Sequence, residues 1–478
     1  MRELHNMYVD GRWSAPVERS VLELSDPATG RPSGHVALGG VADVDRAVTA
    51  ARRAFPAFGA TTTAERVDLL EAVGAEYARR AEDMAQAVTA ELGSPLALSR
   101  SLHVPSGQSQ FHHAAQALRD LDLVERRGRT WIRREPIGVC AMITPWNYPA
   151  LQPAGKVASA LAAGCTIVLK PAQLTPYSAV LLAEILEAAG APAGVFNLVL
   201  ARGSVIGDTL NAHPQIDMIS FTGSGPVAVG VVAAAAPTAK RVVTELGGKS
   251  PQIVLPDADL DTAVHTAVLY ALGNSGQTCG AASRTLVPRE RLDEFLTALT
   301  TAVAGLKVGD PRAEDTFMGP VISADQWDTI QDYIHQGIDE GARLITGGPG
   351  KPELPDALTG GHFVKPTVFA DVTNDMTIAR EEIFGPVMSV IAYDSVEDAI
   401  SIANDSPYGL CGYVTGTDVR QARTVAEKMR TGYVLINDAD FDFNTSWGGY
   451  KQSGNGREWA DFGIGEYLET KSIVGVDT

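Results

Sequence analysis

The sequence has few cysteines and no motif that binds a metal. Its 478 residues include four cysteines, which are widely separated and form no C-x-x-C pair. Such spacing fits a reducing compartment better than a disulfide framework or a metal knuckle. The nine histidines show no H-E-x-x-H spacing, so the zinc hydrolase motif is absent as well. These absences predict a cytoplasmic protein without a metal site.

Basic charge and long apolar runs are also scarce. The chain carries 57 acidic and 39 basic side chains, a formal net charge of −18, which argues against nucleic acid and anionic membranes as partners. No stretch approaches the roughly 18 consecutive apolar residues of a membrane-spanning helix. The N-terminus lacks the basic region and apolar run of a signal peptide. We expect no nucleic-acid partner and no membrane partner.

The length and the local patterns indicate several units. A chain of this length suggests roughly three domain-sized units, and 45% hydrophobic with 20% charged residues is typical of a globular protein. Asp43 is predicted to cap a helix whose apolar residues run from Val44 to Phe55, and the segment from Thr62 to Glu65 matches a capping box. The first part of the chain is therefore predicted to be helix-rich.

From residue 138, short apolar runs alternate with helical segments, which predicts a parallel sheet with right-handed crossovers. The predicted strands are 138–144, 166–170, 195–199, 218–221 and 241–244, with helices over 154–163 and 178–189. Ligands bind at the carboxyl ends of such strands. Polar residues stand at these ends: Asn147, Lys170, Thr222, Ser224 and Glu245.

A second α/β unit is predicted to begin near Ser250, with a helix over 260–272 that precedes Cys279. The segment 347–361, rich in glycine and proline, is predicted to be a surface loop. The last residues, 467–476, alternate like a strand that needs a partner.

Several common motifs are missing. No G-x-G-x-x-G follows a strand, no G-x-S-x-G elbow occurs, and Val243 stands where a Walker A loop ending at Ser250 would need glycine. The segment from Phe221 to Ser224 ends a strand and opens a helix. Amides at a helix N-terminus can receive phosphate, although an ordinary strand–helix turn has the same pattern.

Cys279 lies in the segment GQTCGAASR, where small neighbours leave room for a substrate. A thiolate attacks a carbonyl carbon well when its surroundings lower the thiol pKa. An isolated cysteine is more often buried packing, so its function depends on the rest of the chain.

Seven motifs in order resemble those of NAD(P)-dependent aldehyde dehydrogenases, and the resemblance runs from Tyr8 to the C-terminal strand. They are PWNYP (145–149), KPA (170–172), FTGS (221–224), ELGGK (245–249), GQTC (276–279), EEIFGP (381–386) and GGYK (448–451). The resemblance implies an α/β fold with three units: a Rossmann-like parallel-sheet cofactor domain (1–118 and 138–248), a second α/β catalytic domain (249–448), and a small β oligomerisation element (119–137 and 449–478).

The resemblance also implies the reaction, which is oxidation of an aldehyde to the carboxylic acid. Cys279 would be the nucleophile, and Asn147 with the Cys279 backbone N–H would stabilise the thiohemiacetal oxyanion. Glu245 would activate water to hydrolyse the thioester that follows hydride transfer.

Cofactor residues are implied in the same way. Lys170 would hold the adenosine ribose, Gly223 and Ser224 would face the pyrophosphate, and Glu382 would bind the nicotinamide ribose. The remaining implied cofactor residues are Thr144, Pro145, Trp146, Gln173, Gly203, Gly207, Phe221, Val227, Leu246, Gly247 and Phe384.

Gln173 departs from the family pattern, because many NAD-preferring members carry Glu three residues beyond the lysine of KPA. A carboxylate would repel a 2′-phosphate, whereas an amide would not. NAD is the expected cofactor, and NADP stays open.

The substrate and the assembly are less defined. Phe441, Phe443 and Trp447 fall near the family's tunnel mouth and suggest an apolar or aromatic aldehyde, although packing alone would also explain them. No arginine stands out as a residue that would bind a substrate carboxylate, which disfavours semialdehyde acids. The C-terminal strand resembles the family's oligomerisation element, and an unpaired edge strand is an association surface, so a homodimer or homotetramer is expected.

Three alternatives stay open. A CoA-acylating aldehyde dehydrogenase generally lacks the base at Glu245, and a non-catalytic family member would have no chemical reason to keep Cys279, Asn147, Glu245 and Glu382 together. A thiol acyltransferase or amidase would need a histidine near the cysteine, and the nearest in sequence is His265.

Overall fold

The structure is a computed structural model that describes residues 2–476. The outermost residues of the predicted units, residue 1 and residues 477–478, lie outside the described part. Residues 2–136 combine short strands with a helical layer. In chain order they are β1 (Arg2–Leu4), β2 (Met7–Val9), β3 (Arg12–Ser14), β4 (Ser20–Ser25), β5 (Pro32–Leu38), α1 (Val41–Gly59), α2 (Thr63–Arg79), α3 (Ala81–Leu92), α4 (Leu96–Leu98), α5 (Val104–Asp120), β6 (Val124–Arg127) and β7 (Thr130–Pro136).

Of the two predicted helix starts, one is confirmed and one is wrong. Thr62 caps α2 and Glu65 completes the capping box, because each side chain bonds to the other's backbone N–H. Asp43, however, is the third residue of α1, which begins at Val41. Its buried carboxylate accepts a hydrogen bond from the Gly40 N–H, so it supports the helix start from inside the first turn. The sequence also missed the strands β1 to β5 that precede the helices.

The first large sheet confirms the predicted parallel α/β unit. It is built from β8 (Val139–Ile143), α6 (Leu151–Ala163), β9 (Thr166–Lys170), α7 (Pro176–Ala188), β10 (Phe196–Leu198), α8 (Gly203–Ala212), β11 (Met218–Thr222), α9 (Gly225–Ala235) and β12 (Arg241–Glu245). These five strands pair in parallel in the order β10-β9-β8-β11-β12. The strands and α6 are almost wholly buried, so the sheet lies inside the main hydrophobic core.

A second large sheet follows, as predicted. Its elements are β13 (Pro251–Val254), α10 (Leu260–Leu272), β14 (Arg284–Pro288), α11 (Leu292–Ala304), α12 (Ala324–Asp339), β15 (Arg343–Thr346), β16 (Thr367–Ala370), α13 (Thr377–Arg380), β17 (Val387–Tyr393), α14 (Val396–Asn404), β18 (Cys411–Thr415), α15 (Val419–Lys428) and β19 (Tyr433–Ile436). The order is β15-β16-β17-β14-β13-β18-β19, and only β15 runs antiparallel. The predicted loop 347–361 holds a single 3₁₀ turn, Asp356–Leu358.

The last elements return to the first sheet and to the N-terminal part. They are β20 (Gly454–Asn455), α16 (Ala460–Glu466) and β21 (Leu468–Val474). β20 pairs antiparallel with β12, so the chain beyond residue 449 also reaches the edge of the first sheet. β21 pairs antiparallel with β7, which pairs with β6. The predicted C-terminal strand is therefore confirmed, and β7 is its partner.

Within residues 2–476, no helix is both long and apolar enough to cross a membrane, and no cluster of three or more His, Cys, Asp or Glu side chains is arranged to hold a metal ion. The four cysteines are free thiols.

Candidate active site

A cavity of about 270 Å³ lies where the carboxyl ends of the first sheet face the second sheet. It brings together most of the predicted site residues. The lining residues are Pro145, Trp146, Asn147, Thr222, Gly223, Ser224, Glu245, Leu246, Gly247, Cys279, Gln326, Glu382 and Phe384. Thr222 was predicted only as a polar residue at a strand end, and Gln326 was not predicted at all.

A tight turn after α10 positions Cys279. Asn274 and Ser275 adopt left-handed backbone conformations, with φ of 53° and 58°, and Gly276 follows with φ of 70°. Glycine is required at 276, because a Cβ there would lie 2.2 Å from the Gly385 carbonyl. The turn leaves Cys279 half-buried at the cavity wall.

Two hydrogen bonds, to two different residues, fix Asn147 beside this turn. Its side-chain Nδ2 donates to the Gln277 carbonyl at 3.1 Å, and Asn274 Nδ2 donates to the Asn147 carbonyl at 3.1 Å. The Asn147 side chain is 3% exposed, so its amide is held rigidly next to the cysteine segment.

Glu245 is the last residue of β12, one residue further into the strand than the sequence predicted. It is 2% exposed, and neither carboxylate oxygen has a hydrogen-bond partner within residues 2–476. Burial raises the pKa of Glu245 well above its usual range, and the nearby Glu458 raises it further. An unpaired carboxylate of this kind is a strong proton acceptor once ionised.

Behind Glu245 lies a buried charge pair that sequence reasoning missed. Lys156 on α6 forms a short ion pair with Glu458, and its Nζ donates to Ser220 Oγ at 2.9 Å. Lys156 is 1% exposed and Glu458 is 7% exposed. The only sequence signal was that Lys156 is the one charged residue of the mostly apolar helix 151–163, and a buried lysine needs a partner.

The thiol differs from the sequence expectation. Burial raises the pKa of Cys279, and the carboxylates of Glu382 and Glu245 raise it further. The resting thiol is therefore protonated rather than pre-ionised, and a base must accept its proton before it can attack. No histidine lines the cavity, which removes the main support for a cysteine–histidine acyltransferase.

Glu382 lies just beyond α13 and faces the Gly247–Gly248 segment. Its Oε1 accepts from the Gly248 N–H at 3.1 Å, and a Cβ at Gly247 would lie 1.9 Å from Oε2, so only glycine permits this approach. Burial raises the pKa of Glu382 to about 7. Phe384 takes a left-handed conformation, φ 56°, and meets Trp146 edge to face at 5.2 Å.

Other predicted cofactor residues lie outside the cavity lining. Lys170 is buried at the end of β9, where burial lowers its pKa to about 8, and a Cβ at Gly203 would lie 3.9 Å from its Cε. Gln173 follows β9, and Gly207 lies on α8 beyond Gly203. Val227 is 55% exposed on α9 and does not reach the cavity.

The cavity has features that fit a dinucleotide. Ser224 is the N-cap of the eleven-residue helix α9, so the free amides of its first turn face the β11 end, and Gly223 packs directly over the Phe221 ring. Two threonine hydroxyls, Thr144 Oγ1 and Thr222 Oγ1, are buried there without a partner among the described residues. Donors left unpaired in this way are suited to the polar groups of a ligand.

Aromatic side chains occupy the opposite side of Cys279. The thiol packs against an apolar cluster whose buried members include Trp447 and Trp459. These two indoles stack at 5.0 Å, and Trp447 Cη2 lies 3.4 Å from where a Cβ of Gly280 would stand. The half-buried members of this aromatic side are Tyr148, Tyr433, Phe441 and Phe443.

Comparison with known proteins agrees with this geometry. Residues 13–473 match the model of the aldehyde dehydrogenase family. The chain is 48% identical to 3-succinoylsemialdehyde-pyridine dehydrogenase of a Pseudomonas species, over 100% of both chains. Among solved structures, it resembles an aldehyde dehydrogenase C variant of Pseudomonas syringae in complex with NAD+ and octanal, at 46% identity and a TM-score of 0.97, over 99% of this chain and 97% of that one.

A second solved structure is an aldehyde dehydrogenase of Mycobacterium tuberculosis in complex with NAD+. It is 41% identical to this chain, with a TM-score of 0.95, over 99% of this chain and 98% of that one. The chain therefore belongs to the aldehyde dehydrogenase family, and its reaction is the oxidation of an aldehyde. The CoA-acylating and non-catalytic alternatives are not favoured.

Proposed function

We propose that the protein oxidises uncharged, apolar aldehydes to carboxylic acids with NAD(P), through a covalent intermediate on Cys279. The observation that carries this proposal is the meeting, in one cavity, of a half-buried thiol and a buried carboxylate that lacks any hydrogen-bond partner among the described residues. The Cys279 thiol needs a base to accept its proton, and the ionised Glu245 carboxylate can accept that proton.

The first step is attack by the thiol. Glu245 accepts the Cys279 proton, and Sγ forms a bond to the carbonyl carbon of the aldehyde. The carbonyl oxygen becomes an oxyanion, which the Asn147 amide and the Cys279 backbone N–H stabilise by donating hydrogen bonds. Bound NAD(P) supplies the hydride acceptor, and loss of hydride from the same carbon leaves a thioester on Cys279.

The second step is hydrolysis. Glu245 passes its proton on and then removes a proton from water, which attacks the thioester carbon. The C–S bond breaks, the carboxylic acid leaves, and Sγ regains a proton. The buried Lys156–Glu458 pair lies next to Glu245 and offers the proton a path away from the cavity.

The positions of residues around the cavity support the proposed cofactor site. Glu382, beside the Gly247–Gly248 segment, would hold the nicotinamide ribose, and the first turn of α9 would receive the pyrophosphate. Lys170 and Gln173 would face the adenosine ribose. NAD is the first choice, and the neutral Gln173 leaves NADP open.

We also propose a location, an assembly and a division into domains. Four free cysteines are consistent with a cytoplasmic location. The sheet β21-β7-β6 offers an edge for a homodimer or homotetramer. We retain the division into a cofactor domain (1–118 and 138–248), a catalytic domain (249–448) and an oligomerisation element (119–137 and 449–478).

The direct test is a panel of aldehydes with NAD or NADP, followed by the absorbance of the reduced cofactor. Cys279→Ala should abolish oxidation of every aldehyde, because no other group in the cavity can form the thioester. Cys411→Ala is the matched control, since it removes a neighbouring buried thiol and should leave turnover intact. Oxidation that survives in Cys279→Ala would contradict the proposal.

A further inference from the structure

Trp459 has a backbone conformation that a large side chain rarely adopts. Its φ is 70° and its ψ is 153°, and the next residue, Ala460, also has a positive φ of 47°. This region is populated almost only by glycine, and residues forced into it cluster at functional sites, where the surrounding structure fixes them.

The surrounding structure does fix this segment. Glu458 and Trp447 form an isolated antiparallel bridge, with N–H to carbonyl distances of 2.7 and 2.9 Å. The Gly463 N–H then donates to the Trp459 carbonyl at 2.7 Å. The segment is thus anchored on both sides of Trp459, and the strained residue cannot relax by rotating outward.

The indole of Trp459 packs beside Gly155, where a methyl group would still fit but a longer side chain would enter the space of the ring. Gly155 on α6 has no side chain, and a Cβ there would lie 3.6 Å from both Cδ1 and Nε1 of Trp459. The indole is 4% exposed, stacks on Trp447 at 5.0 Å, and contacts Phe443 at 4.9 Å. Strain and close packing together hold a rigid wall at this place.

The wall lies on the side from which the aldehyde must approach. The opposite side of Cys279 is the polar cavity that we assign to the cofactor, and none of the clustered aromatic rings lines it. The cluster that contains the thiol also contains the two buried indoles and the half-buried rings of Tyr433, Phe441 and Phe443, which are nearer to solvent than the indoles. Asp442, the acid that stands between Phe441 and Phe443, is exposed.

We propose that Trp459 is a specificity-determining residue, whose indole, seated over Gly155, narrows the approach to Cys279 so that unbranched, uncharged aldehydes are preferred over aldehydes that are bulky next to the carbonyl. This inference rests on the proposed aldehyde oxidation. It adds which aldehydes the enzyme prefers and which side chain determines that preference.

The test compares heptanal with cyclohexanecarbaldehyde, which have the same number of carbons and differ in branching next to the carbonyl. We expect kcat/KM of the full-length enzyme to favour heptanal at least tenfold. In Trp459→Ala the preference should fall at least tenfold, mainly through faster oxidation of the ring aldehyde. Trp459→Phe should be intermediate. The control Phe462→Ala, which removes a 52% exposed ring nearby on α16, should leave the preference unchanged.

Gly155 gives an independent arm that does not remove the indole. Gly155→Leu should lower kcat/KM for both aldehydes, because the new side chain would enter the space of the Trp459 ring. Gly155→Leu combined with Trp459→Gly should recover activity towards heptanal at least tenfold over Gly155→Leu alone. If Trp459→Ala does not fold, Trp459→Phe and this pair decide the question.

The outcomes separate the two proposals. If the wild-type enzyme oxidises neither aldehyde nor any other in the panel, the proposed function fails. If it oxidises aldehydes but Trp459→Phe leaves the preference unchanged and the Gly155 pair shows no recovery, only this inference fails. The inference would also fail if the Trp459 variants lost kcat/KM equally for both aldehydes and showed a shifted pH profile. Trp459 would then act by positioning Glu458.

Discussion

The two sides of Cys279 are built from different chemistry. On one side lie a carboxylate without a hydrogen-bond partner in residues 2–476, a carboxyl group whose pKa is raised to about 7 and a rigid amide: Glu245, Glu382 and Asn147. On the other side lie stacked aromatic rings around Trp447 and Trp459. In the proposed mechanism the polar side handles protons and charge, which every aldehyde requires, whereas the aromatic side would contact only the part of the substrate that varies. The proposal therefore separates reaction from selectivity at Cys279.

This contrast predicts that a change on the polar side slows all aldehydes alike. Glu245→Gln should suppress the first-turnover burst of reduced cofactor and slow steady-state turnover by about 10²- to 10⁴-fold, because the base for both thiol activation and hydrolysis is gone. Rapid mixing with heptanal and with benzaldehyde measures both phases. Glu466→Gln, which alters a half-buried acid nearby, is the control. A burst that persists would mean that another group activates the thiol, and an effect on one aldehyde alone would break the comparison.

The pH profile sharpens the same point. The pKa of Glu245 is raised by burial, so the ionised base is lost as the pH falls through a value above the ordinary carboxyl range. Steady-state turnover of the wild-type enzyme should rise with pH through that value and then level off. In Glu245→Gln this limb should flatten for every aldehyde. A limb that persists would assign it to another group, such as Glu382.

The polar side should also depend on paired charges for its stability. Glu458→Gln leaves the buried Lys156 ammonium without its carboxylate, and such a loss typically costs about 3–5 kcal/mol of unfolding free energy. Denaturant unfolding measures this change. The double variant Lys156→Met with Glu458→Gln should recover part of the loss. A single variant as stable as the wild type would show that Lys156 does not carry a buried charge.

The smallest expected effect concerns the cofactor. With Gln173 in place, NAD and NADP turnover should fall within about tenfold of one another, because an amide does not repel a 2′-phosphate. Gln173→Glu should shift the ratio towards NAD by about tenfold or more and leave the order of aldehydes unchanged. Initial rates with each cofactor decide this. An NAD preference above about a thousandfold in the wild type would contradict our interpretation of Gln173.

Local sequence rules predicted helix ends correctly where the side chain that caps the helix bonds to residues close to it in sequence. The capping box at Thr62 and Glu65 is confirmed because both partners lie within one turn. Asp43 was placed wrongly as a cap, because its carboxylate also accepts from the backbone of Val17, a contact that the local pattern cannot show. The strands β1 to β5 were missed, since short strands gain their stability from pairing rather than from a long apolar pattern.

The site was predictable in part for the same reason. Asn147, Glu245, Cys279 and Glu382 follow strands or turns at recognisable motifs, and they meet in one cavity. Lys156 and Glu458 stand 302 residues apart, and nothing local to either residue names the other. Likewise, only the fold brings the Trp459 indole over Gly155.

By itself the sequence determined the parallel α/β architecture and the family, and it named the candidate nucleophile, because alternating strands and helices, strand-end polar residues and ordered motifs are all local patterns. Only the tertiary structure decided that burial raises the pKa of the Cys279 thiol, that Glu245 has no partner among the described residues, and that Cys279 lies between a polar cavity and an aromatic cluster. Burial and proximity between distant segments set these properties, and neither is encoded at any single position of the chain.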